Sequence, residues 1–353
     1  MILGLDIGRE YVKSVVLDKV KNGFKVQNAA CRLVPEQNKA YDPETITKPL
    51  WIIAIKELFR ELKMNPKRAR NLVSGINGTN VSIKQITTMD MPRDELYSSM
   101  TFEARKHIPM DGTDAVIDFQ IFGSNRKEVD KIDVALVACT KRVLNFHLDL
   151  LREVGLKPGI VDADPVALTN AFRYSRELPE EGVVVLLDIG AVSSTIVVHG
   201  RQDAFFTRDI PLGGHHFVQA LVEKQSLDYV AAQDALYREG VASFQNESPQ
   251  EETLNARISV AERTVFNIFV EDIRRSLRYY AKSTNQSYFV HIYLSGGSAN
   301  LPGLAEFIQE KLNIEVSLLD PFQGVAGVDK LSITNPAQYT VAMGLAIHGG
   351  VEA

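Results

Sequence analysis

An α/β fold made of two related halves, with a smaller unit inserted into the first, is predicted by three features of the sequence. The segment Leu3-Gly4-Leu5-Asp6-Ile7-Gly8 recurs as Val184-Val185-Leu186-Leu187-Asp188-Ile189-Gly190, and the two aspartates lie 182 residues apart (188 minus 6). Each copy runs on into a second β-rich stretch and a turn, Asn22-Gly23 in the first and His199-Gly200 in the second. Between the copies, residues 80–155 read as strand, helix, strand, strand, helix, a βαββα unit bounded by Gly78 and Gly155. A duplicated strand–Asp-x-Gly–strand unit predicts two halves facing each other across a shared anionic ligand.

Composition bounds the function. The 353 residues allow two or three domains. A chain 45% hydrophobic and 24% charged is ordinary globular material with enough apolar side chains for a sizeable core. The formal charge of -5 argues against broad nucleic-acid or anionic-membrane binding. Cys31 and Cys139 each sit in an apolar β-like run and read as reduced core thiols. Met1 leads directly into a strand without a basic signal-peptide segment, and no apolar run approaches the roughly 18 residues of a membrane span. The expectation is a soluble, cytoplasmic chain, with any membrane contact made through a partner.

Residues 2–34 read as three strands, the last two joined by Asn22-Gly23, whose residues tolerate positive φ. Residues 35–46 are polar and hold Pro43, so they read as a loop. Leu50, Ile53, Ala54, Leu58 and Leu62 have helical spacing over 46–62, and the basic run Arg60, Lys63, Lys67, Arg68, Arg70 reads as its solvated end. A strand over 71–76 precedes the inserted unit, in which Asn125 falls in the turn between two adjacent strands. A strand from 156 and a helix over 165–174 follow, then a Pro/Glu/Gly break at 178–182. The second half has its own hairpin, a helical region from Gly214 to Tyr237 and a polar loop over 242–256. Its longest helix, 257–282, carries the stripe Val265, Phe269, Ile273, Leu277, Tyr280. A strand at 291–294, Gly296-Gly297-Ser298, a helix over 303–312, a strand at 315–319 and a small-residue helix over 337–349 complete the chain.

Three elements carry chemistry. Asp6-Ile7-Gly8 ends a buried strand; Gly8 lets the backbone approach a phosphate, Asp6 is placed to hold a hydrated Mg²⁺, and Lys13 on the returning strand offers a point charge. Asp188-Ile189-Gly190 repeats the pattern and adds the hydroxyls of Ser193 and Ser194. Two acidic strand ends in one cleft repel unless a cation or proton lies between them, which is a physical reason to expect Mg²⁺ with a nucleotide. Ser295-Gly296-Gly297-Ser298 joins a strand to a helix, and its glycines permit a flat base or ribose to lie on the backbone. The adjacent His215-His216 diverge in either a strand or a helix, which argues against a metal pair. Trp51 reads as a core or groove residue.

Together these residues resemble the actin-like ATPase superfamily, across essentially the whole chain. Its phosphate-1 motif matches residues 3–16, the first connecting motif 161–168, the phosphate-2 motif 186–197, the adenosine motif 294–303 and the second connecting motif 342–346. Within it, the chain is most similar to the PilM family of type IV pilus assembly. That likeness lies in Met91-Pro92 with residues 102–109, Val116-Ile117-Asp118-Phe119, Arg208 with Gly213-Gly214, residues 273–280, and Asp320-Pro321-Phe322. The unit at 80–155 is similar to the subdomain inserted in PilM and FtsA. The chain stops soon after the second connecting motif, where FtsA continues to an amphipathic helix and GspL to a membrane span, and this favours PilM.

The resemblance implies an actin-like, ribonuclease H-like duplicated fold. Its first subdomain is residues 1–79, 156–181 and 337–353, with the inserted subdomain at 80–155. The second half comprises 182–214 with 257–336, and a smaller subdomain at 215–256. It implies ATP or ADP with Mg²⁺, contacted at Gly8, Arg9, Lys13, Gly190, Ser193, Ser194, Gly213, Gly214, Gly296, Gly297 and Ser298. Asp6 and Asp188 would hold the metal through water, and Asp6, Asp164 and Asp188 are the candidate catalytic carboxylates. It implies as partner the N-terminal cytoplasmic tail of a PilN-like membrane protein, together with other pilus platform or motor proteins. Several positions depart from the pattern. Arg9-Glu10-Tyr11 stand where small hydroxyl residues usually follow the first Asp-x-Gly, and Glu10 would repel a phosphate. Ala232-Gln233-Asp234-Ala235-Leu236 stand where relatives carry Ala-Glu-x-x-Lys, and Asp164 replaces a longer Glu. These changes weigh against hydrolysis more than against binding, so at most slow ATPase activity is expected. The alternatives are a filament-forming or cell-division ATPase like FtsA, and a small-metabolite kinase with Asp164 as base.

Overall fold

The computed structural model describes residues 1–35, 40–76, 81–107, 115–125, 128–201, 203–244 and 264–351. The Gly78 boundary, the polar stretch at 245–256 and the expected first turns of the long helix (257–263) lie outside the described residues. In chain order the first half and its insertion hold β1 (Ile2–Ile7), β2 (Tyr11–Val20), β3 (Gly23–Leu33), α1 (Lys48–Glu61), β4 (Leu72–Ile76), β5 (Val81–Met89), α2 (Arg93–His107), β6 (Ala115–Ser124), β7 (Lys131–Thr140), α3 (Lys141–Val154), β8 (Ile160–Ala163) and α4 (Asp164–Ser175). Then follow β9 (Val183–Ile189), β10 (Ser194–His199), β11 (Phe206–Ile210), α5 (Gly214–Gln225), α6 (Tyr229–Glu239), α7 (Val265–Thr284), β12 (Phe289–Ser295), α8 (Leu304–Leu312), β13 (Val316–Leu318) and α9 (Thr340–Val351).

The duplication read from the two Asp-x-Gly segments is a duplication of sheets. One sheet has the order β3-β2-β1-β4-β8 and the other β11-β10-β9-β12-β13. In each, the first three strands are an antiparallel meander and the next two run parallel to the central strand. β1 and β9 are the central strands and are apolar on both faces, as strands covered on both sides must be. A third sheet, β5-β7-β6, belongs to the inserted unit and packs α2 on one face through Leu96, Met100, Val134 and Leu136.

α4 lies between the halves. Leu168 and Phe172 pack against Val184, Leu186 and Val197 of the second sheet, while Ala167 packs with Val73 of the first. The small residues of α9 let it lie directly against α4, since a Cβ on Gly344 would collide with the Ala167 carbonyl. α3, at the end of the 80–155 segment, buries Leu150, Leu151 and Val154 in the core of the first sheet with Leu5, Leu58 and Leu72. α5 and α6 share one core with the second sheet and α7 through Phe217, Leu236, Phe266 and Phe269.

Candidate functional site

The site is built on two equivalent turns. β1 and β2 pair Asp6 with Lys13 and Ile7 with Val12; β9 and β10 pair Asp188 with Thr195 and Ile189 with Ser194. Four residues join each pair, and the turns close identically: Gly8 N–H donates to the Tyr11 carbonyl and Gly190 N–H to that of Ser193, both at 3.0 Å. The two turns face each other across one cleft, lined from the first half by Asp6, Gly8, Arg9, Glu10, Lys13 and Asp164. Asp188, Gly190, Ser193, Thr195, Gly297 and Ser298 line it from the second.

The cleft is rich in buried acid. Lys13 Nζ lies 2.9 Å from Asp6 Oδ2, and both side chains are nearly inaccessible. Burial opposes the lysine charge, but Asp6 outweighs it and holds the Lys13 pKa above its ordinary value. Burial pushes the Asp188 pKa up, opposed by the Ser295 hydroxyl, which donates to Asp188 Oδ1 at 2.7 Å. Burial, then the charges of Asp6 and Asp188, push Asp164 well up. Its Oδ1 is buried without a hydrogen-bond partner. That oxygen sits where a Cβ on Gly75 would come within 2.2 Å of it, so Gly75 makes room for the carboxylate. Glu10 is also pushed up, to about 7, by burial, against the opposing effects of Lys13 and of the Gln233 amide.

This donor set fits a hydrated divalent cation. Asp164 has an orphaned oxygen, three carboxylates share one lysine, and a cation would relieve both. Among the described residues no group of three His, Cys, Asp or Glu side chains is close enough to ligate a metal directly. A hydrated ion such as Mg²⁺, which keeps several waters, suits such spacing.

Several residues named from the sequence lie behind the cleft. Ser194 is buried and its hydroxyl donates to the Leu212 carbonyl at 2.7 Å. Gly213 and Gly214 lead into α5, whose first free N–H groups are used by the second turn: Gly214 N–H donates to Gly190 O and His215 N–H to Ala191 O. Gly296, with φ of 93°, packs its Cα against the end of β9, where a Cβ would lie 2.4 Å from the Ile189 carbonyl. Gly297 has open space at the same test and is the glycine that faces the cleft. Thr195 was not singled out; it follows Asp188 by seven residues as Lys13 follows Asp6, and that repeat spacing marks it. Trp51 also supports the site, with Nε1 donating to the Gly8 carbonyl at 2.9 Å.

A second cavity of about 360 Å³ opens on the other side of the first turn. Its walls are Ile7, Trp51 and Ile76 from the first sheet and α1, and Arg142, Phe146 and Leu150 from α3. Arg9 lines both this groove and the cleft.

Two sheets of one topology, each carrying an Asp-x-Gly turn to a common cleft, define an actin-like ATPase fold. Solved structures show the same arrangement: the ethanolamine utilization protein EutJ of Carboxydothermus hydrogenoformans (15% identity, TM-score 0.54, covering 98% of this chain and 89% of that one) and MreB5 of Spiroplasma citri bound to AMPPNP (12% identity, TM-score 0.52, covering 99% and 96%). More similar is the PilM-PilN type IV pilus biogenesis complex, at 26% identity and a TM-score of 0.80, covering 99% of this chain and 98% of that chain. Among curated proteins, the cell division protein FtsA of Bacillus subtilis is 25% identical over 256 residues, 68% of this chain; the chain spans about half of that relative's length, 54%. The family model of the type IV pilus assembly protein PilM matches residues 4–349, and the chain belongs to that family.

Proposed function

We propose that this chain is a nucleotide-binding scaffold of the type IV pilus assembly platform, which holds the N-terminal cytoplasmic tail of a PilN-like membrane protein. One observation above all supports it: the two aspartate strand ends open into one cleft, and the groove beside that cleft is walled by the same turn. ATP or ADP with Mg²⁺ is the ligand proposed for the cleft. Asp6 and Asp188 would hold the cation through water, and the cation would supply the positive charge that the carboxylates and the phosphates both need. Lys13, relieved of Asp6, serves a phosphate; the Gly8 and Gly190 turns and Ser193 offer it their peptide and hydroxyl groups. Gly297 forms an open surface for the base or ribose. The cleft as it stands holds about 90 Å³, below the roughly 300–1,000 Å³ of ligand pockets in general. A nucleotide is therefore admitted by a change in the angle between the halves, with α4 as the layer between them.

The groove suits an extended peptide. Trp51, Ile76, Phe146 and Leu150 make an apolar floor, and Phe146 is 47% exposed. Arg9 and Arg142 stand at its rim. Such a groove recognises apolar side chains of a strand-like segment. Among the described residues no helix is long and apolar enough to cross a membrane, and in this reading the chain reaches the inner membrane through that peptide. The test is fluorescence anisotropy with a labelled PilN-like tail peptide, with and without MgADP. Saturable binding that is lost in Phe146→Asp is expected; no binding in either nucleotide state would overturn the proposal.

A further inference from the structure

Arg9 stands between the two cavities and is held by contacts on the groove side. Its guanidinium carbon lies 5.8 Å from the centroid of the Trp51 ring. Trp51 in turn fixes the first turn through the Gly8 carbonyl and meets Phe146 edge-on, with ring centroids 6.1 Å apart. Lys48 Nζ lies 6.0 Å from the Phe146 ring. The groove floor and the first phosphate-facing turn are thus one connected cluster, and Arg9 caps it: it is exposed and lines both cavities.

We propose that Arg9 couples the two sites. With the cleft unliganded, the guanidinium covers the face of Trp51. A phosphate in the cleft competes for it, because a charge-assisted hydrogen bond to phosphate is stronger than a cation–π contact at an exposed position. Arg9 then leaves the indole, and the uncovered ring face is added to the apolar floor of the groove. Nucleotide therefore tightens the hold on an extended apolar peptide, and by linkage the peptide tightens the hold on nucleotide by the same factor. This rests on the proposed function above, and adds to it the sign of the coupling and the residue that carries it.

The chain has one tryptophan, Trp51, so its emission reports the event directly. MgADP titrated into the wild type is expected to change that emission. The labelled tail peptide is expected to bind about fivefold more tightly at saturating MgADP, the low end of ordinary coupling factors. In Arg9→Ala the indole is already uncovered. That variant is expected to bind the peptide without nucleotide as tightly as the loaded wild type does, with a coupling factor of one. If both ligands bind the wild type independently, the coupling is wrong and the proposed function stands. If Arg9→Ala binds the peptide only as tightly as the unloaded wild type, Arg9 does not carry it. If either ligand fails to bind the wild type, the proposed function falls and the coupling falls with it.

Discussion

Glu10 of the first half and Gln233 of the second meet across the mouth of the cleft, the amide Nε2 donating to the carboxylate Oε1 at 3.4 Å. The two residues lie 223 positions apart in the sequence, and the structure brings them together. A carboxylate at 233 would face Glu10 directly; the amide gives it a donor instead.

Nucleotide binding is expected to depend on pH through Glu10. Its pKa of about 7 leaves it largely neutral at pH 6 and charged at pH 8, where it repels phosphate. Affinity for MgADP should fall as pH rises through 7, and Glu10→Gln should flatten the profile. Isothermal titration at pH 6, 7 and 8 measures both.

Stability should follow the same residue. The raised pKa means that the folded chain keeps a proton that the unfolded chain loses between about 4.5 and 7. The contribution of Glu10 is therefore fully present below that window, falls as pH rises through it, and is flat above. Glu10→Gln is expected to gain on the order of 1–2 kcal/mol at pH 8 relative to wild type, and little at pH 4.5. Urea melts at the two pH values test this.

The buried Asp6–Lys13 pair gives a second stability prediction. Asp6→Asn leaves the buried lysine without the carboxylate it contacts, a loss that costs about 3–5 kcal/mol in comparable cases. The double variant Asp6→Asn, Lys13→Met removes the stranded charge as well. It should recover much of that loss, a non-additivity that a double-mutant cycle in urea reads directly.

Gly75 and Asp164 should also be non-additive. Gly75→Ala puts a Cβ 2.2 Å from Asp164 Oδ1, and is expected to destabilise by about 1–3 kcal/mol. In an Asp164→Ala background the collision is gone, and the same substitution should cost far less. Thermal melts of the two singles and the double decide it.

Much of this was legible in the sequence because repetition is a strong pattern. Asp6 and Asp188, the hairpins that follow them, and the strand–helix–strand–strand order of the insertion were all readable as local sequence. Direction was harder to read. Ser193 and Ser194 are adjacent hydroxyls in sequence, but only packing shows that Ser193, in the turn, meets the cleft while Ser194, at the start of β10, ties the Leu212 carbonyl. Gly296 and Gly297 are adjacent glycines in sequence; their roles separate only when β9 is brought against one of them. The helix over 141–154 was readable as a helix, yet its cover, the first sheet, depends on tertiary structure. Trp51 under Gly8 and Gln233 opposite Glu10 are contacts over 43 and 223 residues, beyond any local pattern.

The central claim is that Asp6 and Asp188 together clamp one magnesium nucleotide between the halves. Isothermal titration of MgADP and MgATP into the wild type and into Asp188→Ala tests it most directly. One nucleotide per chain, bound only with Mg²⁺ and lost in the variant, is the predicted result. A wild type that binds neither nucleotide, or a variant that binds as the wild type does, would contradict it.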